Sequence, residues 1–280
     1  EWHHLKNSPN TIDESELKRV AKFFTAMPYE KLNDQDDTYD EAIQNNKAFA
    51  SWAKRSVHLH KQKGYRAITL SLKPHGLAPG DATSDQMRIV AELAEQYSFG
   101  ELRVSHEQNL ILADVKLQDI FKVWEKAKAH QLATPNIGLL TDIICCPGGD
   151  FCSLANAKSI PIATSIQEAF DNLDYLHDIG ELELNISGCM NACGHHHIGH
   201  IGVLGVDKDG SEWYQVTIGG KQGNDASLGS VIGPSFAAEE MPGVIKKLID
   251  VYIKHRNPEE RFIDTVRRLG VNPFKEHVYA

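Results

Sequence analysis

A chain of 280 residues, 41% hydrophobic and 24% charged, can build one large domain or two modest ones and lacks the bias of a disordered or fibrous chain. Its 29 basic and 38 acidic residues give a formal net charge of −9, which argues against a nucleic-acid binder, since such proteins carry a basic excess. No apolar run approaches the roughly 20 residues that span a bilayer and no secretory signal opens the chain, so no membrane partner is expected.

Five cysteines, an odd number in a chain too long for a disulfide scaffold, point to reduced thiols and a cytoplasmic setting. The sequence opens at Glu1 without a Met, as expected of a processed product or a piece of a longer polypeptide. Thr11 followed by Glu14 is a capping-box pattern, and Leu17, Val20, Ala21 and Phe24 recur behind it at helical spacing, which predicts a helix. The acidic stretch from about Pro28 to Asn46 reads as a surface connection. In YRAITLSLK, Ile68, Leu70 and Leu72 alternate with Thr69, Ser71 and Lys73, the pattern of a half-buried strand. A loop punctuated by Pro74, Gly76, Pro79 and Gly80 follows, then a helix capped by Ser84 with Met87, Val90, Ala91 and Ala94 as its apolar face. ELRVS and NLILADV read as strands with His106 and Glu107 in the turn between them, and LQDIFKVWEKAKAH as an amphipathic helix. Residues 65–130 thus run strand, helix, strand, strand, helix, the order of a ferredoxin-like α+β sandwich. Beyond Thr134–Asn136 glycine becomes frequent, and strands LELNIS, IGVLGVD and WYQVTIG alternate with helices around 165–178 and 236–255. The expected organisation is a helical lead-in and linker over 1–60, a ferredoxin-like half-domain over 61–133 and a mixed α/β domain over 134–280.

All five cysteines lie in two short stretches, CCPGGDFC (Cys145–Cys152) and GCMNACGHHH (Gly188–His197). Cys146 and Cys152 enclose five residues, Cys189 and Cys193 three. Four thiolates in two pairs can ligate zinc or an iron–sulfur cluster. Structural zinc favours pairs about two to four residues apart. The wider first gap suits something larger than one ion, and Gly148 and Gly149 let backbone N–H groups approach sulfide or thiolate. The cluster therefore leads, with zinc left open. Cys145 breaks the spacing and reads as a small apolar residue ending the strand TDIIC. His195, His196 and His197 do not read as a metal site, because neighbours on an extended chain face opposite sides; one or two of them are expected to donate hydrogen bonds to an anionic cofactor edge. His3, His4, His58, His60 and His200 carry no ligand spacing. GHIGVLG reads as strand packing rather than dinucleotide binding, and Ile218–Ser230 as a Gly-rich loop whose amides could line a cofactor.

The two pair spacings, Asn191 within NISGCMNACG, the approach TPNIGLLTD and the strand TIGG at Thr217–Gly220 together resemble the signature of the sirohaem and [4Fe–4S] nitrite and sulfite reductases. The likeness runs over essentially the whole chain and is greatest to bacterial haemoprotein-type sulfite reductases. It implies an α+β fold, a ferredoxin-like α/β sandwich half-repeat followed by a mixed α/β sirohaem/[4Fe–4S]-binding domain. It implies that Cys146, Cys152, Cys189 and Cys193 hold the cluster, that Cys193 also bridges to the sirohaem iron, and that Gln108, Asn109 and Asn191 lie at the sirohaem or the bridge. Full polypeptides of the family are roughly twice this length and built as two pseudo-symmetric halves. This chain matches the second, and Glu107 stands where the pseudo-repeat would offer a basic side chain. The substrate clamp, and with it any catalytic side chain, is therefore expected from an N-terminal half. The expected function is the C-terminal half of an assimilatory sulfite reductase, sulfite to sulfide by six electrons. Nitrite reduction to ammonia, a stand-alone iron–sulfur or small sirohaem protein, and a zinc-stabilised module are the alternatives. Ferredoxin or a flavoprotein is the implied donor. The half alone is expected to be inactive, to lose one or both cofactors readily, and to pair with a second copy through an exposed apolar face.

Overall fold

The structure, a computed structural model, describes residues 1–9 and 11–280. Residues 1–32 form a unit of their own with two short helices, α1 (Trp2–Leu5) and α2 (Glu14–Ala21). The cap of α2 is not Thr11. Asp13 accepts the Glu16 N–H at 2.8 Å, while the Thr11 hydroxyl donates to Leu5 O at 2.9 Å. A carboxylate immediately before the first turn satisfies an orphan N–H and meets the positive helix end, which favours the Asp. Phe24 lies past the helix end.

In the second unit, residues 33–280, the acidic stretch read as a surface connection contains a helix, α3 (Asp37–Asn45), followed by α4 (Lys47–Ser56). Asp36 caps α3 by accepting the Tyr39 N–H at 3.0 Å. Tyr39, Ala42 and Ile43 pack beside Phe49, Trp52 and Ala53 of α4, a narrow apolar stripe that the exposed charges around it conceal in the composition.

Next come β1 (Val57–Leu59), β2 (Tyr65–Leu70), α5 (Ser84–Tyr97), β3 (Leu102–Val104), β4 (Leu110–Lys116) and α6 (Ile120–Ala129). The strands form an antiparallel sheet in the order β1-β2-β4-β3, so β4 lies between β2 and β3 as in the ferredoxin-like sandwich. The cap of α5 is Thr83, one residue before the Ser84 expected, in a reciprocal capping box with Gln86 at 3.2 and 2.9 Å. Its inner face is Gln86, Val90, Leu93 and Ala94; Met87 and Ala91 face solvent. Gln86 is tolerated inside because its Nε2 donates to His130 O at 2.9 Å. The polar residues expected on an open face, Thr69, Ser71 and Lys73, are buried, the last two just past the end of β2 with buried partners in Asn136 and Asp142.

The remainder comprises β5 (Ile144–Cys145), α7 (Ile160–Ala169), α8 (Leu173–Ile179), β6 (Leu184–Ser187), β7 (Ile201–Lys208), β8 (Ser211–Ile218), β9 (Ser230–Val231), α9 (Met241–His255), α10 (Phe262–Leu269) and α11 (Asn272–Tyr279). The single helix expected around 165–178 is two, because Asn172 accepts the Tyr175 N–H at 3.0 Å and starts a second one. The sheet order is β5-β6-β7-β8-β9, with β5, β6 and β7 parallel and the rest antiparallel. A Cβ on Gly202 would lie 1.9 Å from His196 O, and one on Gly205 would lie 2.7 Å from Ala157 Cβ, so the glycines of GHIGVLG serve close packing. One core joins this sheet to α7–α11, and a second joins the first sheet to α4–α6. Among the described residues no helix is long and apolar enough to cross a membrane.

Candidate functional site

Both cysteine pairs leave the C-terminal ends of adjacent parallel strands. Cys146 follows β5 directly, and Cys189 comes two residues after β6. In parallel sheets that end is where connecting loops gather to form a site. The connection from β6 to β7 lacks an α-helix and holds the second cysteine pair and all three adjacent histidines.

Glycines bring the two loops into backbone contact. The Asn156 and Ala157 N–H groups both donate to Gly188 O, at 2.8 and 3.0 Å, and the Gly149 N–H donates to Ala157 O at 3.0 Å. A Cβ on Gly188 would come within 2.6 Å of Ala157 O, and one on Gly148, whose φ is +59°, within 2.4 Å of Ser159 N. No other residue fits such approaches. The Gly188 N–H donates to Cys146 Sγ at 3.1 Å, and Ser159 Oγ lies 3.4 Å from the same sulfur. Cys146 and Cys189 are buried, Cys152 half-buried and Cys193 exposed, all as free thiols. Asn191 and Cys193 stand on the exposed part of the second loop.

Four free thiols on glycine-tied loops, with a backbone N–H already on one sulfur, suit an iron–sulfur cluster. Among the described residues no three His, Cys, Asp or Glu side chains converge as one metal ion would require. Cys145 belongs to the hydrophobic core, with burial pushing its thiol far up and its S–H donating to Cys146 O at 3.2 Å.

Gln108 lies beside the first pair, its amide bonded to both the N–H and the C=O of Cys145 at 2.8 Å each. Asn109 is buried one residue on, accepting the Leu72 N–H at 3.1 Å and donating to Asp142 Oδ1 at 3.0 Å. The sequence reading missed the pair at the centre of this network. Lys73 Nζ, fully buried, meets Asp142 Oδ1 at 2.6 Å and also donates to Glu107 O. Lys73 ended an alternating pattern as an ordinary polar residue, and its partner lies 69 residues away, so local pattern carried no signal.

His196 and His197 form a 3-10 turn whose rings meet edge to face at 5.5 Å, and burial holds the His196 pKa down. Its Nδ1 is buried with no partner among the described residues. His58 pairs with Thr69 Oγ1 at 2.9 Å and His60 with Asp114 at 3.2 Å, ordinary structural contacts. His200, for which no role was expected, accepts the Glu183 N–H at Nδ1. In the loop 218–230, Asp225 is held by Lys221 and Arg267, and the Gly229 N–H donates to His197 O at 2.8 Å. A cleft of about 730 Å³ between the two sheets is lined by Arg103, Glu107 and Glu183 among others, and burial raises the Glu183 pKa.

The profile of the nitrite and sulphite reductase 4Fe-4S domain matches residues 139–280, and that of the nitrite/sulfite reductase ferredoxin-like half domain residues 58–130. An assimilatory ferredoxin-dependent nitrite reductase of Haloferax mediterranei is 28% identical over 90% of this chain and 43% of its own length. An assimilatory-type sulfite reductase of Nitratidesulfovibrio vulgaris is 22% identical over 71% of this chain and 88% of its own length. The solved NirA protein of Mycobacterium tuberculosis superposes with a TM-score of 0.63 at 23% identity, over 78% of this chain and 41% of that one, a likeness of fold. The chain spans 34–43% of the length of the first nitrite reductases it matches. With one profile on the cysteine-bearing sheet and its helices and the other on the antiparallel sheet, the chain belongs to the nitrite and sulfite reductase family.

Proposed function

We propose that the chain is the cluster-bearing, C-terminal half of an assimilatory sulfite reductase. In this reading residues 61–133 are its ferredoxin-like half-domain and 134–280 its cofactor domain, behind a helical lead-in over 1–60. The observation that carries it is the seating of both cysteine pairs at the ends of adjacent parallel strands, tied through Gly188. Sulfite is favoured by the likeness of the chain as a whole to bacterial sulfite reductases and by the assimilatory-type sulfite reductase of which this chain covers 88%.

Cys146, Cys152, Cys189 and Cys193 would hold the cluster, which when bound stores single electrons for transfer to a sirohaem. Cys193 is the exposed thiol of the four, which suits a ligand that also faces a second group. Asn191, on the same exposed turn, would donate to that bridge or to the macrocycle. The protein's own part is to keep the loops closed through the glycine contacts and to exclude water from Cys146 and Cys189. Gln108 and Asn109, which the family resemblance assigns to the sirohaem side, would act there through the Cys145 backbone and the turn that their amides hold. Basic residues that clamp the oxyanion would come from a partner half, and electrons from ferredoxin or a flavoprotein. Free thiols go with a reducing compartment, the cytoplasm.

A nitrite substrate is the second reading, favoured by the Haloferax mediterranei relative named as a nitrite reductase. Anaerobic purification with iron, sulfide and visible-absorption measurements tests the core claim. About four irons and four sulfides per chain are expected, and a colourless protein that stays so after reconstitution would defeat it. The ratio of kcat/KM for sulfite and nitrite, measured with the full-length polypeptide, separates the two substrates.

A further inference from the structure

We propose that Gln108 is a positioning residue: its side-chain amide locks the free edge of β5 and thereby sets where Cys146 presents its sulfur. The inference rests on the cluster reading only for what Cys146 holds. Among the described residues β5 lies at the edge of its sheet and pairs with β6 alone. The Cys146 N–H reaches across to Ile186 O at 3.1 Å. Successive residues of a strand direct their backbone groups to opposite sides, so the N–H and C=O of Cys145 point away from β6, where no strand meets them. Gln108 meets both. Its Oε1 accepts the Cys145 N–H and its Nε2 donates to Cys145 O, each at 2.8 Å. A primary amide offers the donor and acceptor of one peptide unit, so one side chain stands in for a missing strand residue.

The clamp is itself anchored in the first sheet. Gln108 sits at φ +58°, in the left-handed region, within a turn closed by Gln108 N–H to Ser105 O at 3.2 Å and Ser105 N–H to Asn109 O at 2.9 Å. Asn109 ties that turn to Leu72 and Asp142, and Lys73 ties it through Glu107 O to the same carboxylate. On the other side Gly80, at φ +87°, packs so closely that a Cβ there would lie 3.0 Å from Gln108 Cβ. The antiparallel sheet thus dictates the position of the first cysteine loop through one side chain. The family resemblance assigns Gln108 to sirohaem; here both ends of its amide engage the strand that delivers Cys146.

The test is amide hydrogen exchange on the full chain, followed in peptides covering residues 143–147 and 189–194, with iron and sulfide measured on the same samples. Gln108→Ala is expected to speed exchange at Cys145 about tenfold or more, the loss of two backbone-type hydrogen bonds, while 189–194 keeps its rate. Gln108→Glu keeps an acceptor for the Cys145 N–H and is expected to fall between. Unchanged exchange at Cys145 in Gln108→Ala overturns the proposal, as does equal acceleration of both peptides, which would mean general loosening. If Gln108→Ala does not fold, Gln108→Met, which keeps the length of the side chain without its amide, decides by the same criterion. A wild-type chain without iron after reconstitution defeats the cluster reading and leaves the exchange result to judge the clamp. With iron present, Gln108→Ala is expected to lose it to a chelator several-fold faster.

Discussion

At His200 the ring is buried, its Nδ1 accepts the Glu183 N–H at 3.1 Å, and Arg261, Lys221 and Arg267 lie near. Burial, seconded by those cations, holds its pKa at about 4, below the ordinary 6.5. The folded state therefore keeps the ring neutral while the unfolded chain takes up the proton first as pH falls. Stability from this site is whole above pH about 6.5 and is lost on descending to about 4, on the order of 3 kcal/mol at most. Urea midpoints followed across that window should fall in the wild type and fall less in His200→Gln, whose amide oxygen still accepts the hydrogen bond. Two glycines make opposite predictions. A Cβ on Gly194 would lie 2.0 Å from Ile186 O, so Gly194→Ala should cost about 2 kcal/mol or more. Gly243, exposed within α9, has nothing within 4 Å of a Cβ, so Gly243→Ala should stabilise by up to about 1 kcal/mol. Thermal midpoints moving in the same direction would refute one of the two.

Between elements, the joint that matters is the Lys73–Asp142 ion pair. It links the end of β2, the turn between β3 and β4, and the approach to β5, with side chains 0% and 6% exposed. Removing one member leaves a buried charge unpaired, so Lys73→Met should cost about 3–5 kcal/mol. Lys73→Met combined with Asp142→Leu should recover part of that loss, short of all of it, because Asp142 also accepts the Gly138 and Asn109 donors. A double-mutant cycle by urea unfolding measures the coupling, and additive losses would show that the pair does not act as a unit.

For the whole molecule, the antiparallel sheet ends in two open edges, β1 and β3, which carry the exposed Leu59 and Val104. Open edges with apolar side chains invite pairing between chains. The isolated chain should therefore associate as concentration rises, and light scattering that finds a clean monomer throughout would count against this. Cys146→Ser and Cys193→Ser should each reduce iron per chain sharply while Cys145→Ser leaves it near the wild-type value, since Cys145 faces the core. Iron retained in Cys146→Ser would remove that residue from the ligand set.

Local pattern was enough for the order of strands and helices over 65–130, for the glycine packing of β7, and for singling out the two cysteine stretches, because periodicity and spacing are properties of neighbouring residues. It failed where a nearby competitor or a narrow stripe decided the outcome, as at the caps Asp13 and Thr83 and in α3. The polar face of β2 looked solvent-exposed because nothing in YRAITLSLK announces Asn136 or Asp142. Only the tertiary structure brought Lys73 to Asp142 and Gln108 to Cys145. Such contacts depend on how separate segments pack, and a chain read residue by residue records the donors and acceptors without recording which of them meet.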